Sequence, residues 1–151
     1  MRLTKHTDYA LRVLLYTAAF PERLVSTEEI SNTYGISNNH LIKVVNNLGK
    51  LGLLEVRRGR QGGVRLARAP EDIGIGEVVR MTEPDFHMVE CFDGPTNTCP
   101  IVRVCGLIKP LAAAKEAFLA SLDGYTLADA ISGQRQPKLR RTLLQLTGSD
   151  G

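Results

Sequence analysis

Three cysteines, Cys91, Cys99 and Cys105, carry the chemistry open to this chain. They are spaced Cys-x7-Cys-x5-Cys in a stretch rich in Gly, Pro, Thr and Asn. Thiolates ligate soft metals and iron–sulfur clusters. Structural zinc usually asks for paired Cys-x2-4-Cys steps, and these are absent here. Wider steps let a loop wrap a larger body, such as a four-iron cluster. Spacing alone leaves a cluster, a zinc ion and free thiols all open. An odd number of cysteines argues against a disulfide framework, and in a reducing cytosol ligands or free thiols are expected.

The rest of the composition bounds the class. With 151 residues the chain suits one domain or one and a half, large enough for a core without metal or disulfide staples. Aliphatic residues dominate the apolar fraction, Trp is absent and aromatics are 5%, which suits a helix-rich fold. No apolar run is long enough for a membrane span, so no membrane partner is expected. The N-terminus shows no signal-peptide h-region, which points to the cytoplasm. The Gly-rich segments are turns rather than phosphate loops opening a helix, and nothing resembles a substrate-pocket motif. The chain is therefore not expected to be an enzyme.

The net charge of +3 conceals an asymmetry. Residues 1–68 carry eleven Lys and Arg against five Asp and Glu, and residues 69–151 carry eight against eleven. A basic N-terminal half meeting a polyanion accounts for this; a solvated basic face gives the same count.

The elements that position these groups follow from periodicity. Residues 8–20 have helical apolar spacing and end at Pro21. Ser26 and Glu29 form a capping box opening a second helix that stops at Gly35. Ser37 caps a third helix, whose Leu41, Val44, Val45 and Leu48 fall on one face. Leu54/Val56 and Val64/Leu66 alternate on either side of a Gly-rich turn from Arg57 to Gly63, a β-hairpin. Two short helices joined by Gly35-Ile36-Ser37 and followed by a basic hairpin predict a winged helix-turn-helix. Farther on, a brief helix from Glu77 to Thr82 precedes the cysteine loop. Leu107, Leu111, Ala114, Phe118 and Leu122 then mark an a/d-like stripe on one long helix. A short helix capped at Thr126 ends by Gly133, and the tail from Gln134 is a marginal helix or disordered. The expected fold is mostly α: a winged helix-turn-helix domain with a two-stranded wing at 1–68, a cluster-binding loop and dimerisation helix at 69–133, and a tail at 134–151.

In such a domain the start of the second helix of the motif enters the major groove. Here that is Asn38, Asn39 and His40, then Lys43, with Asn46 and Asn47 one turn on. Asn amides pair bidentately with adenine, and Lys43 suits guanine or phosphate; equally, Asn38 and Asn39 can simply start a helix. The wing offers Arg57, Arg58 and Arg60, either as readers of a narrow groove or as plain phosphate contacts.

The segments Asn39-His40-Leu41-Ile42-Lys43-Val44-Val45, Arg58-Gly59-Arg60-Gln61-Gly62-Gly63 and Val89-Glu90-Cys91-Phe92…Cys99-Pro100…Cys105-Gly106-Leu107 resemble the family of iron–sulfur winged-helix repressors that contains NsrR and IscR. The resemblance is closer to the nitric-oxide-sensitive NsrR group and covers about residues 1–133. It implies a homodimer joined through the long helix, binding to a double-stranded operator, and a 4Fe-4S cluster on Cys91, Cys99 and Cys105, with 2Fe-2S a product of oxidation. The IscR pattern places a His three residues after the last cysteine, where this chain has Ile108, and no His follows His87. The resemblance to NsrR puts the fourth ligand on Asp8 of the partner subunit. Taken alone, an acid at that place is a helix-dipole partner. His87 is a second candidate, and Glu83 and Asp85 could serve beside the loop. A carboxylate is a hard donor among soft thiolates, so the resemblance implies that nitric oxide acts at that iron first, and that losing the bond frees the two recognition helices from their half-site spacing. A thiol-redox or zinc-bearing repressor on the same scaffold, or an iron–sulfur-status regulator of the IscR type, remains the alternative.

Overall fold

Helix α1 (Lys5–Ala19) is the trunk of the molecule, and the computed structural model describes residues 2–147 around it. It starts one turn earlier than its apolar spacing predicts, because Thr4 caps it by accepting from the Thr7 amide. Thr4 is itself anchored from far away in the chain: its amide and hydroxyl both donate to Glu83 Oε1, at 2.7 and 3.0 Å. Ala10, Val13, Leu14, Tyr16, Ala18 and Ala19 of α1 are buried.

The second helix, α2 (Thr27–Tyr34), opens on Ser26, whose Oγ accepts from the Glu29 amide. It ends at Gly35, where φ is +61°, a left-handed conformation that a side chain disfavours. Ser31 donates to the Ile36 carbonyl at 2.5 Å and so braces the turn. Ser37 then caps α3 (Asn38–Lys50) through the His40 amide. As the spacing predicts, Leu41, Val44, Val45 and Leu48 turn inward.

Strands β1 (Leu54–Arg57) and β2 (Gly63–Leu66) pair antiparallel with Leu54 opposite Leu66 and Arg57 opposite Gly63. Residues 58–62 form the tip. The base of the wing is stitched to the chain ahead of α2 by a bridge between Val25 and Val64.

Helix α4 (Ile75–Thr82) begins two residues before the expected Glu77, since Ile73 and Gly74 are held by the chain near 125–127. The Leu127 amide donates to the Ile73 carbonyl at 2.8 Å and the Ile75 amide to the Tyr125 carbonyl at 2.9 Å. Next come α5 (Ile108–Asp123) and α6 (Leu127–Ile131), the latter opened by a full capping box between Thr126 and Asp129. Arg80 of α4 grips both oxygens of Asp123, which fixes the end of α5 against α4.

Past Gly133 the chain forms α7 (Arg135–Thr147), with Pro137 in the first turn where proline is tolerated. It lies across α1, α2 and α6. Leu143 is buried in the main core, and Leu139 packs against that core. Arg140 reaches Glu22 at 2.5 Å and lies over the Phe20 ring. Thr147 hydrogen-bonds Thr33 at 3.0 Å. One continuous core results, in which Ile73, Val78, Leu127 and Leu143 join the side chains of α1, α2, α3 and the wing.

Candidate functional site

Two regions hold the candidate residues: the outer face of α3 with the wing, and the loop between α4 and α5.

Asn38, Asn39, His40 and Lys43 are all exposed on α3, as the amphipathic spacing requires. They divide by flank. Asn38, Ile42 and Asn46 line a cleft facing the wing, together with Val56, Arg57 and Arg58. His40 stands on the other flank, its ring centroid 6.4 Å from that of Tyr9 on α1. Asn47 also turns toward α1, its Oδ1 3.0 Å from His6 Nε2, so it ties α3 to α1.

The three wing arginines are not equivalent. Arg57 Nε donates to Glu55 at 3.0 Å, and Glu55 also accepts from Arg65 at 2.7 Å. These bonds hold the Glu55 carboxyl below its ordinary value. Arg58 and Arg60 at the tip pair with no carboxylate among the described residues. The glycines that follow serve the wing itself. A Cβ on Gly62 would lie 2.3 Å from the Arg57 carbonyl oxygen, and one on Gly63 would lie 2.8 Å from that of Val25. Backbone packing within the chain therefore demands glycine there, before any duplex approaches.

Residues 83–107 contain no regular element except the 3-10 turn Glu90–Phe92. Cys91 sits in that turn, and Cys99 and Cys105 follow. All three are half-buried free thiols. Local polar contacts shape the loop. Glu90 accepts from the amide and hydroxyl of Thr98 at 2.5 and 2.6 Å, and these two bonds lower its carboxyl pKa. The Cys99 amide donates to Asn97 at 3.0 Å. Lys115 of α5 stands over the Phe92 ring. Among the described residues, no three His, Cys, Asp or Glu side chains gather as a metal site within one chain. In kind, the donors suit an iron–sulfur cluster: three thiols within fifteen residues, none in a disulfide, on a loop whose one regular piece is the short turn that carries Cys91.

The non-cysteine candidates are placed as follows. Asp8 lies in the first turn of α1, where Arg12 holds it. That partner escaped notice in the sequence, although the i,i+4 spacing of Asp8 and Arg12 was its signal. Glu83 is occupied by Thr4. Asp85 accepts from the His87 amide at 2.9 Å, and the His87 ring Nδ1 is 3.8 Å away.

Comparison with known proteins identifies the family. The Rrf2 family model, described as an iron-dependent transcriptional regulator, matches residues 3–133. The chain is 54% identical over 135 residues to the HTH-type transcriptional regulator NsrR of Bacillus subtilis, covering 89% of this chain and 92% of that one. It is 46% identical over 149 residues to the regulator of the same name from Geobacillus kaustophilus, covering 98% and 100%. Among solved structures, IscR of T. potens shares 26% identity at a TM-score of 0.67, over 87% of this chain and 86% of that one. CymR, the global cysteine regulator of B. subtilis, shares the fold at a TM-score of 0.65 and 24% identity, over 85% and 95%. These relatives are transcriptional regulators and not enzymes. With its helix-turn-helix, its wing and a family match that runs from α1 to the end of α6, the chain belongs to the Rrf2 family of transcriptional regulators.

Proposed function

We propose that the chain is a cytoplasmic, homodimeric repressor that holds a 4Fe-4S cluster on Cys91, Cys99 and Cys105, with Asp8 of the partner subunit as fourth ligand, and leaves its operator in response to nitric oxide. The observation that carries this reading is the loop of three unpaired, half-buried thiols that follows a basic winged helix in the same chain, with α4 between them. When bound, an iron–sulfur cluster supplies iron atoms that react with nitric oxide.

This chain's own residues do the rest. The thiols hold the group on the loop, and Glu90, Thr98 and Asn97 hold the loop. Asp8 stands on the first helix of the DNA-binding part, so a bond from it to the partner's loop ties each recognition helix to the other protomer. A coupling of a few kcal/mol suffices to move operator occupancy substantially. The homodimer finds support along α5, where Leu107, Leu111, Ala114, Phe118 and Leu122 stay half-buried or exposed and Leu119 is the buried residue. Leu122 also lines an open apolar concavity of about 560 Å3 with Leu11, Leu15, Ile75 and Leu127. On the DNA side, Lys43, Arg58 and Arg60 supply exposed cations, and Asn38 and Asn39 supply amides for base edges.

Anaerobic purification tests the proposal. Iron and sulfide near four each per chain, broad absorption near 400 nm, and an operator gel shift abolished by nitric oxide are expected, as for cysteine-ligated four-iron centres. Stoichiometric zinc without sulfide overturns it. A brown protein whose DNA binding ignores nitric oxide points instead to a regulator of iron–sulfur status.

A further inference from the structure

One residue breaks the polar surface of α3. Asn38, Ile42 and Asn46 follow one another at four-residue spacing on the flank turned to the wing, and all three line the cleft there, about 330 Å3 in volume. Ile42 is 41% exposed and Val56, across the cleft, 40%. The core does not need Ile42, since Leu41, Val44, Val45 and Leu48 already fill the inner face. A β-branched residue is also a poor choice for an exposed helix position, because its χ1 freedom is lost against the preceding turn. The flank thus presents an apolar surface between two amides.

Arg57 and Arg58 line the cleft against one acid, Glu28, and Arg58 is not spent on a carboxylate among the described residues, so the wing side offers a cation for a phosphate backbone. Within the major groove, the apolar group on a base edge is the 5-methyl of thymine.

We infer that Ile42 is a specificity-determining residue that packs on the 5-methyl group of one thymine in each half of the operator. The inference rests on α3 entering the major groove. Four helical residues advance about 6 Å, just under two base-pair steps of about 3.4 Å. The thymine therefore lies one or two pairs from the bases that Asn38 and Asn46 reach.

The test starts from duplexes enriched out of a random library by the full-length, anaerobically purified protein. Each thymine of the enriched duplex is replaced in turn by deoxyuridine, which removes only the methyl group. Wild type should lose affinity about fourfold, the effect of one buried methyl, at one thymine per half-site. Ile42→Ala should bind the thymine duplex less tightly and become indifferent to that replacement, with Ile42→Val between the two. Thermal melting should be nearly unchanged in both variants. The proposal is overturned if Ile42→Ala keeps the wild-type response to deoxyuridine at every thymine, or if wild type shows no response. Failure of wild type to enrich any sequence is a different result, and it overturns the DNA-reading premise together with the contact.

Discussion

Asp8 and Arg12 form a closed pair one helical turn apart on α1: Arg12 Nη2 lies 2.8 Å from Asp8 Oδ2, and Arg12 Nε donates to Oδ1 at 3.1 Å. Their side chains are 44% and 43% exposed. A pair this exposed contributes no more than about 1 kcal/mol. Arg12 therefore orients the carboxylate while leaving it cheap to redirect toward a partner. Asp8→Ala should melt within about 1 kcal/mol of wild type and still carry a cluster on its cysteines. It should also bind the operator less tightly and show a changed first nitric-oxide rate in stopped-flow absorbance. A variant matching wild type in spectrum, rate and affinity reduces Asp8 to a helix-start acid.

Cys99→Ala should lose the cluster outright, because two thiolates and a carboxylate leave an iron without its anchor. Iron and sulfide analysis of anaerobic protein reads this directly. Full iron content in the variant would remove Cys99 from the ligand set.

On the wing, Arg58→Ala should cost about 1–3 kcal/mol of specific operator binding. Arg57→Ala should cost less, since Arg57 is already engaged by Glu55. Lys5, exposed at the start of α1, serves as the non-specific control: if it touches only phosphate, Lys5→Ala should weaken all sequences alike. Competition titrations with operator and scrambled duplexes separate the three; equal specific and non-specific losses for Arg58→Ala would make it a phosphate contact.

Leu143→Ala should destabilise the protein by about 2–5 kcal/mol, the usual range for a buried leucine truncation. Leu146→Ala, at an exposed position of the same helix, should stay within about 0.5 kcal/mol. Urea unfolding compares them. Equal small effects would show that α7 does not carry the core.

The acid limb of stability should depend on Glu29. Hydrogen bonds from Arg23, with help from Tyr16, hold its carboxyl below the ordinary 4.5 despite partial burial. A depressed folded-state value contributes stability that is complete above 4.5 and lost as pH falls through the lowered value. Stability of Glu29→Gln should therefore fall less steeply than wild type below pH 4.5, measured by urea midpoints. Parallel curves would assign the acid sensitivity elsewhere.

Most of the winged helix was legible in the chain because its determinants are local. Ser26 and Ser37 cap amides three residues ahead, Gly35 supplies the turn, Leu41 to Leu48 repeat at the helical period, and Val56 and Val64 face each other across a short tip. The cysteine spacing named the candidate donors and left cluster, zinc and free thiols open. Each of these signals lies within one turn, one hairpin or one loop, so its free energy is decided by neighbours in sequence.

Tertiary structure decided what depends on distant partners. Glu83, 79 residues away, anchors Thr4 at the start of α1. The polar tail becomes α7 because the surface made by α1, α2 and α6 accepts Leu143; the weak periodicity of Leu139, Leu143 and Leu146 leaves a marginal helix or disorder equally open. Asn46 and Asn47 are adjacent and chemically identical, yet the 100° turn between them sends one to the wing cleft and the other to His6. Gly63 is required because Val25 approaches it from another element. Residue types alone told which groups could react or bind; which of them face outward, and which are already spent on one another, was settled only when the packed faces met.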